Sequence, residues 1–175
     1  YYFKSILMNN FPKHYKSILQ ATQQAGFSMA SDILTGRLLR TLVASKPTGK
    51  FLELGTGTGL STSWILEGIS KESTFVSLEN NPEYLQIAEH FLGADQRLNL
   101  QLADAEVWLQ ESKQEQFDFI FADTWHGKYY SLEITLAMLK PGGIYFIDDM
   151  LPQPNWPEGH DMKATALITY LEQRD

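Results

Sequence analysis

Phe51-Leu52-Glu53-Leu54-Gly55-Thr56-Gly57-Thr58-Gly59 is the stretch around which the chain is organised. The apolar run from Phe51 to Leu54 predicts a short buried strand. Three glycines alternating with threonines follow it directly. Leu60, Trp64, Ile65 and Ile69 then recur at helical spacing and predict an amphipathic helix to about Ser70. A strand, a glycine turn and a helix in that order make a ligand loop. Glycine lets the backbone approach a ligand closely and take positive φ without a Cβ clash. A helix N-terminus offers its N–H groups to an anion. An ordinary glycine-rich strand–helix turn is the plainer alternative. It is set aside because a second anchor, Glu79, stands one strand downstream.

The chain has 175 residues, 43% of them hydrophobic, which suits a single domain with a real core. Its net charge of −7 is spread among interspersed acids and bases, with no basic stripe of the kind that binds nucleic acid. No cysteine is present, so thiolate metal sites and disulfides are excluded. No run approaches the length of a membrane span, and no signal peptide is visible. A cytoplasmic enzyme without nucleic-acid or membrane partners is expected.

Upstream of the glycine loop, Tyr1 to Pro12 is aromatic and irregular. Two helices follow. Lys13–Ala25 carries Tyr15, Ile18, Leu19 and Thr22 on one side. Asp32–Ser45 carries Leu34, Leu38, Leu39, Leu42 and Val43 as its expected packed face. Downstream, Thr74–Leu78 reads as strand two, ending on Glu79. Asn81 is a suitable N-cap and Pro82 a suitable first residue for the next helix. Leu98–Leu102 is strand three, ending at Ala103-Asp104, with a short helix behind it. Phe117–Ala122 is strand four, ending on Asp123-Thr124-Trp125-His126-Gly127-Lys128-Tyr129. A helix carrying Leu132, Leu136 and Leu139 leads to a sharp turn, Lys140-Pro141-Gly142-Gly143. Ile144–Ile147 is strand five, ending on Asp148-Asp149. A proline-rich loop with Trp156 and a final helix carrying Ala164, Leu167, Ile168 and Leu171 complete the chain.

Strands that are nearly continuous apolar runs, alternating with helices, predict a mostly parallel sheet covered on both faces. We expect a doubly wound α/β fold, strand order 3-2-1-4-5, with residues 1–48 as a helical segment and residues 49–175 as the cofactor-binding core of one domain. Such a sheet binds its ligand beyond the carboxyl ends of its strands. Glu53, Glu79, Asp104, Asp123 and the pair Asp148-Asp149 all fall there.

A dinucleotide loop reads Gly-x-Gly-x-x-Gly. Here the third glycine comes one residue early, and Glu53 precedes the first by two positions. Extra negative charge suits a sulfonium cofactor with a free amino group better than a pyrophosphate. Glu53-Leu54-Gly55-Thr56-Gly57-Thr58-Gly59 resembles the first motif of class I S-adenosylmethionine-dependent methyltransferases. Asp123-Thr124-Trp125-His126-Gly127-Lys128-Tyr129 and the stretch from Leu139-Lys140-Pro141-Gly142-Gly143 to Asp148-Asp149 are similar to later segments of the catechol and caffeoyl-CoA O-methyltransferase group. The likeness runs from about Phe27 to about Asp149.

The resemblance implies an S-adenosylmethionine-dependent O-methyltransferase acting on a small hydroxylated acceptor. N-methyl transfer, a nicotinamide-dependent oxidoreductase and a non-catalytic cofactor-binding module are the alternatives. It places Glu53, Gly55, Thr56 and Gly57 around the methionine side of the cofactor, with Ser31 and Ser61 near its carboxylate and Met29 near its methyl. It assigns Glu79, with Asn80 beside it, to the ribose hydroxyls. Asp104 and Ala105 go to the adenine, with Trp125 against its ring; Asp104 also reads as a plain helix cap. Asp123 counts with both cofactor and catalytic residues. Asp123, Asp148 and Asp149 are the expected ligands of a hard divalent ion such as Mg²⁺, and His126 and Lys128 the expected proton acceptors. The sequence departs from the family where its lysine base falls on His126 and where its metal-pair asparagine is Asp149. The group's hairpin after the last helix is not present by Asp175, so strand five is expected to be covered by further residues or by a second copy in a homodimer.

Overall fold

The computed structural model describes residues 10–152, 156 and 158–174. The Tyr1–Pro12 stretch up to residue 9, and part of the proline-rich loop, lie outside the described residues. In chain order the elements are α1 (Tyr15–Gln24), α2 (Ile33–Ala44), β1 (Lys50–Leu54), α3 (Leu60–Gly68), β2 (Thr74–Glu79) and α4 (Pro82–Leu92). They continue with β3 (Leu98–Leu102), α5 (Ala105–Glu111), β4 (Phe117–Ala122), α6 (Leu132–Ala137), β5 (Leu139–Ile147) and α7 (His160–Glu172).

The five strands form one sheet in the expected order, β3-β2-β1-β4-β5, and every pairing is parallel. Side chains alternate across a strand, so the central strands serve two cores. Phe51, Phe75, Phe119 and Phe121 face α1, α2 and α3, where they meet Ile18, Leu39, Val43, Trp64 and Ile65. Leu52, Leu54, Leu78 and Ile120 face the other side, against Leu109 of α5 and Met138 after α6. β1 lies between β2 and β4, which places the glycine loop at the middle of the sheet.

Capping fixes where the site helices begin. Asp32 Oδ1 accepts from the N–H groups of Leu34 and Thr35 at 2.6 and 2.8 Å. Asn81 caps α4 as expected, with Pro82 in its first turn.

Two expectations change. The packed face of α2 is Gly36, Leu39 and Val43, whereas Leu34 and Leu38 are 73% and 47% exposed. The reason is Gly36. A Cβ there would overlap Trp64 Cδ1 and Nε1, so the bare backbone of α2 seats on the indole and fixes the helix rotation. The second change is at Leu139, which starts β5 rather than ending α6. Phe117 pairs with Leu139 and Phe119 with Ile144, so four residues, Lys140–Gly143, oppose Asp118 alone. The expected turn is therefore an excursion within the strand. Pro141 has no N–H for the ladder, and Gly142 takes φ +76°. Asp118 stabilises the excursion by accepting from Lys140 Nζ at 2.8 Å and from the Lys50 N–H at 2.7 Å.

Candidate functional site

A cavity of about 730 Å³ runs along the carboxyl ends of the strands. The glycine loop forms its floor. Gly55 and Thr56 both donate their N–H to Leu78 O, at 3.0 and 2.9 Å, which staples the loop to the end of β2. Gly55 has φ +102°, and a Cβ there would lie 2.7 Å from Thr124 Cγ2 and 2.8 Å from Asp123 O. Only glycine fits between the β1 and β4 ends.

Glu53 lies beneath this loop and is fully buried. Its Oε2 accepts from Thr62 Oγ1 at 2.6 Å and Ser77 Oγ at 2.5 Å, and Ser77 in turn meets Thr56 Oγ1 at 2.6 Å. Burial pushes its carboxyl up to about 6, against hydrogen bonds from Ser61, Ser77 and Thr62 that favour the anion. Glu53 thus holds the loop from behind, while Ser61, Gly55, Thr56 and Gly57 line the cavity itself.

Glu79 ends β2 beside the loop. Its Oε2 accepts from the Gly57 N–H at 2.7 Å, and its Oε1 from the N–H groups of Asn80 and Asn81 at 3.1 and 2.9 Å. A carboxylate has about four lone-pair directions. Three donors fix its orientation and still leave acceptor capacity towards the cavity. Asp104 caps α5, with Oδ1 accepting from Glu106 and Val107 at 2.8 and 3.2 Å, and it also lines the cavity with Ala105 and Asn80. Both roles read from its sequence position are therefore compatible.

The opposite wall comes from the ends of β4 and β5 and from the segment before α2. Ser31 Oγ donates to Asp123 Oδ2 at 3.2 Å. Asp148 Oδ1 accepts from the Asp149 N–H at 2.9 Å. Burial, then the charge of Asp148, pushes the Asp123 carboxyl well above the usual range, and Lys128 acts in the opposite sense. Burial also raises Asp148. Lys128 is 3% exposed and His126 half-buried; both line the cavity. Met29 and Trp125 are exposed at its rim.

The expected metal triad is not assembled. Among the described residues no three His, Cys, Asp or Glu side chains form a group that could hold a metal ion. Asp149 has a left-handed φ of +56° and is exposed, and Asp148 Oδ1 is engaged by the Asp149 N–H.

Residues 9–172 match the model of the O-methyltransferase family. The chain belongs to that family. This O-methyltransferase-family chain is 29% identical over 126 residues to catechol O-methyltransferase B of Danio rerio, covering 66% of this chain and 48% of the relative. It is 26% identical over 140 residues to a Mycobacterium avium relative, covering 75% of this chain and 63% of the relative. The chain therefore spans about half to two-thirds of the length of these relatives. Its fold superposes on the Bacillus cereus O-methyltransferase in complex with SAH, with TM-score 0.83, 21% identity, and coverage of 98% of this chain and 84% of that one. It also superposes on TomG of Streptomyces achromogenes, an O-methyltransferase involved in tomaymycin synthesis and in complex with SAM. There the TM-score is 0.82 at 18% identity, covering 99% of this chain and 83% of the other.

Within this O-methyltransferase fold the tertiary structure adds site residues with no local signature. His160, the first residue of α7, is buried, meets Tyr129 Oη through Nε2 at 3.0 Å, and has its ring 4.4 Å from that of Trp156. Both His160 and Trp156 line the cavity. Phe27 and Tyr84, with ring centroids 4.7 Å apart, close the other end. Only the aromatic Trp156 inside a proline-rich loop hinted at this wall. Among the described residues no helix is long and apolar enough to cross a membrane.

Proposed function

We propose that this chain binds S-adenosylmethionine and transfers its methyl group to a hydroxyl of a small-molecule acceptor. The observation that carries this is the state of the loop's donors. The N–H groups of Gly55 and Thr56 bond to Leu78, that of Gly57 to Glu79, and that of Gly59 to Thr56 O at 2.9 Å. A dinucleotide's pyrophosphate needs such groups free; here they are engaged, above a buried glutamate. What the loop offers is a fixed carboxylate, Glu79, matched to a ribose diol. When bound, S-adenosylmethionine supplies a sulfonium methyl whose transfer to the acceptor oxygen releases a neutral thioether and one proton.

The chain's own residues bind, align and take up the proton. Glu79 accepts from both ribose hydroxyls. Asp104 and Ala105 border the adenine, and Trp125 covers it. Ser31 and Ser61 lie toward the methionine end, and Met29 closes the rim above the reacting centre. Holding acceptor and methyl in line is the main catalytic contribution. The proton passes to the wall formed by Asp123 and His126, beside Lys128.

Calorimetry with SAH, S-adenosylmethionine and NAD tests the cofactor. Micromolar binding of the first two is expected, with no comparable NAD binding. Glu79→Ala should weaken SAH by about 1.5–3 kcal/mol, the scale of hydrogen bonds to a charged group. Preferential binding of NAD would end this proposal in favour of an oxidoreductase.

A further inference from the structure

Trp125 borders the cavity from the loop after β4 and is 44% exposed. The backbone of that loop closes on itself, since Trp125 O accepts from the N–H groups of Lys128, Tyr129 and Tyr130 at 3.3, 2.8 and 3.0 Å. The indole, in turn, is held by the first turn of α7, far along the chain. His160 opens α7 after Gly159, whose φ of +79° turns the chain into the helix. Its Nε2 meets Tyr129 Oη at 3.0 Å, and its ring stands edge-on to Trp125, 6.2 Å between centroids. Residues three apart on a helix share a face, so Lys163 falls on the same side as His160. Lys163 Nζ lies 4.5 Å from the centre of the Trp125 ring. That is inside the roughly 6 Å range over which an aromatic face attracts an ammonium. Among the described residues Lys163 closes no ion pair, so the indole is the partner of its charge. Trp125 lines the cavity and Lys163 does not. The ammonium therefore backs the indole from outside and leaves the cavity side of the ring to a ligand.

We propose that Lys163 is a positioning residue for the cofactor: through Trp125 it fixes and polarises the indole against which the adenine stacks. The inference rests on the proposed function, which sets Trp125 over the adenine. Two effects act in the same direction. The attraction holds a half-exposed indole in one orientation before the ligand arrives, which lowers the ordering cost of binding. Aromatic faces carry negative potential, which disfavours laying one squarely on another. A cation behind the indole draws its π electrons away from the cavity side and relieves that repulsion. His160 supports the arrangement by anchoring the first turn of α7 to Tyr129.

The test is SAH calorimetry on the full chain, arranged as a double-mutant cycle. Lys163→Met keeps a long side chain and removes its charge. It is expected to raise the SAH Kd about two- to fivefold, the range that a cation–π contact at an exposed site supplies. Lys163→Arg, which keeps a cation over the ring, is expected to restore the wild-type Kd. In a Trp125→Leu background, Lys163→Met should have no further effect. Both positions are exposed, and a thermal melt without ligand checks the folding of each variant. An unchanged Kd in Lys163→Met, a loss that arginine does not restore, or an equal loss in the Trp125→Leu background overturns the inference. Wild type that binds no SAH ends the cofactor proposal and this inference with it. Wild type that binds SAH leaves the lysine variants to decide this inference alone.

Discussion

Glu53 shows how a single residue in the motif acts from behind rather than within the cavity. Its carboxyl is pushed up to about 6, from an ordinary value of 4.5, because burial outweighs its hydroxyl donors. The folded state therefore holds the proton more tightly than the unfolded chain. Stability from this group is fully present below 4.5 and is lost as pH rises through about 6. That difference corresponds to about 2 kcal/mol by neutral pH. Glu53→Gln removes this titration while keeping an acceptor for Thr62 and Ser77. The wild-type-minus-variant stability from urea melts should then fall by about 2 kcal/mol between pH 4.5 and 7. Other carboxylates cancel in that difference. A difference that stays flat would mean Glu53 is ionised in the fold at no cost. Asp104 illustrates the converse, since its capping role followed from its place before a helix and is realised through Glu106 and Val107.

Helix α2 carries the clearest conflict between local pattern and packing. Leucine spacing alone favours Leu34 and Leu38 as the inward face, yet the helix turns to set Gly36 on Trp64. Intrinsic propensity makes Gly→Ala in a helix favourable by roughly 1 kcal/mol. In this position the added methyl meets a fully enclosed indole, and overpacking of that kind costs about 1–3 kcal/mol. Gly36→Ala should therefore lower the urea midpoint, and Gly36→Val more so. A raised midpoint for Gly36→Ala would show that α2 shifts outward without penalty. In β5, similarly, Pro141 and Gly142 signalled a break in regular structure. Pairing of Leu139 with Phe117 decided that the break lies inside the strand.

At the scale of the whole molecule, the cavity joins the glycine loop, the ends of the strands and the two helices that close over them. A ligand that binds only this assembled form stabilises it by mass action, about 2.7 kcal/mol at a hundredfold excess over Kd. For a chain of this size that corresponds to a rise in Tm of roughly 5–10 °C. SAH should produce this shift in a thermal melt, and Glu79→Ala should reduce it at the same concentration. An unchanged Tm in saturating SAH would show that the strand ends do not form a cofactor site.

The sequence by itself determined the fold class, the strand order and the line of carboxylates at the strand ends. Those depend on local signals: apolar runs, the alternation of strand and helix, glycine spacing and caps such as Asn81. It also determined the family, because the ordered motifs lie within the region that matches it. Only the tertiary structure decided which groups share a space. Lys128, in a β4 loop pinned to β5, lines the same cavity as Asp123 and Asp148, and His160 reaches Tyr129 across 31 residues of chain. Burial, charge compensation and the fit of side chains across strands depend on neighbours distant in sequence, and no local pattern encodes them.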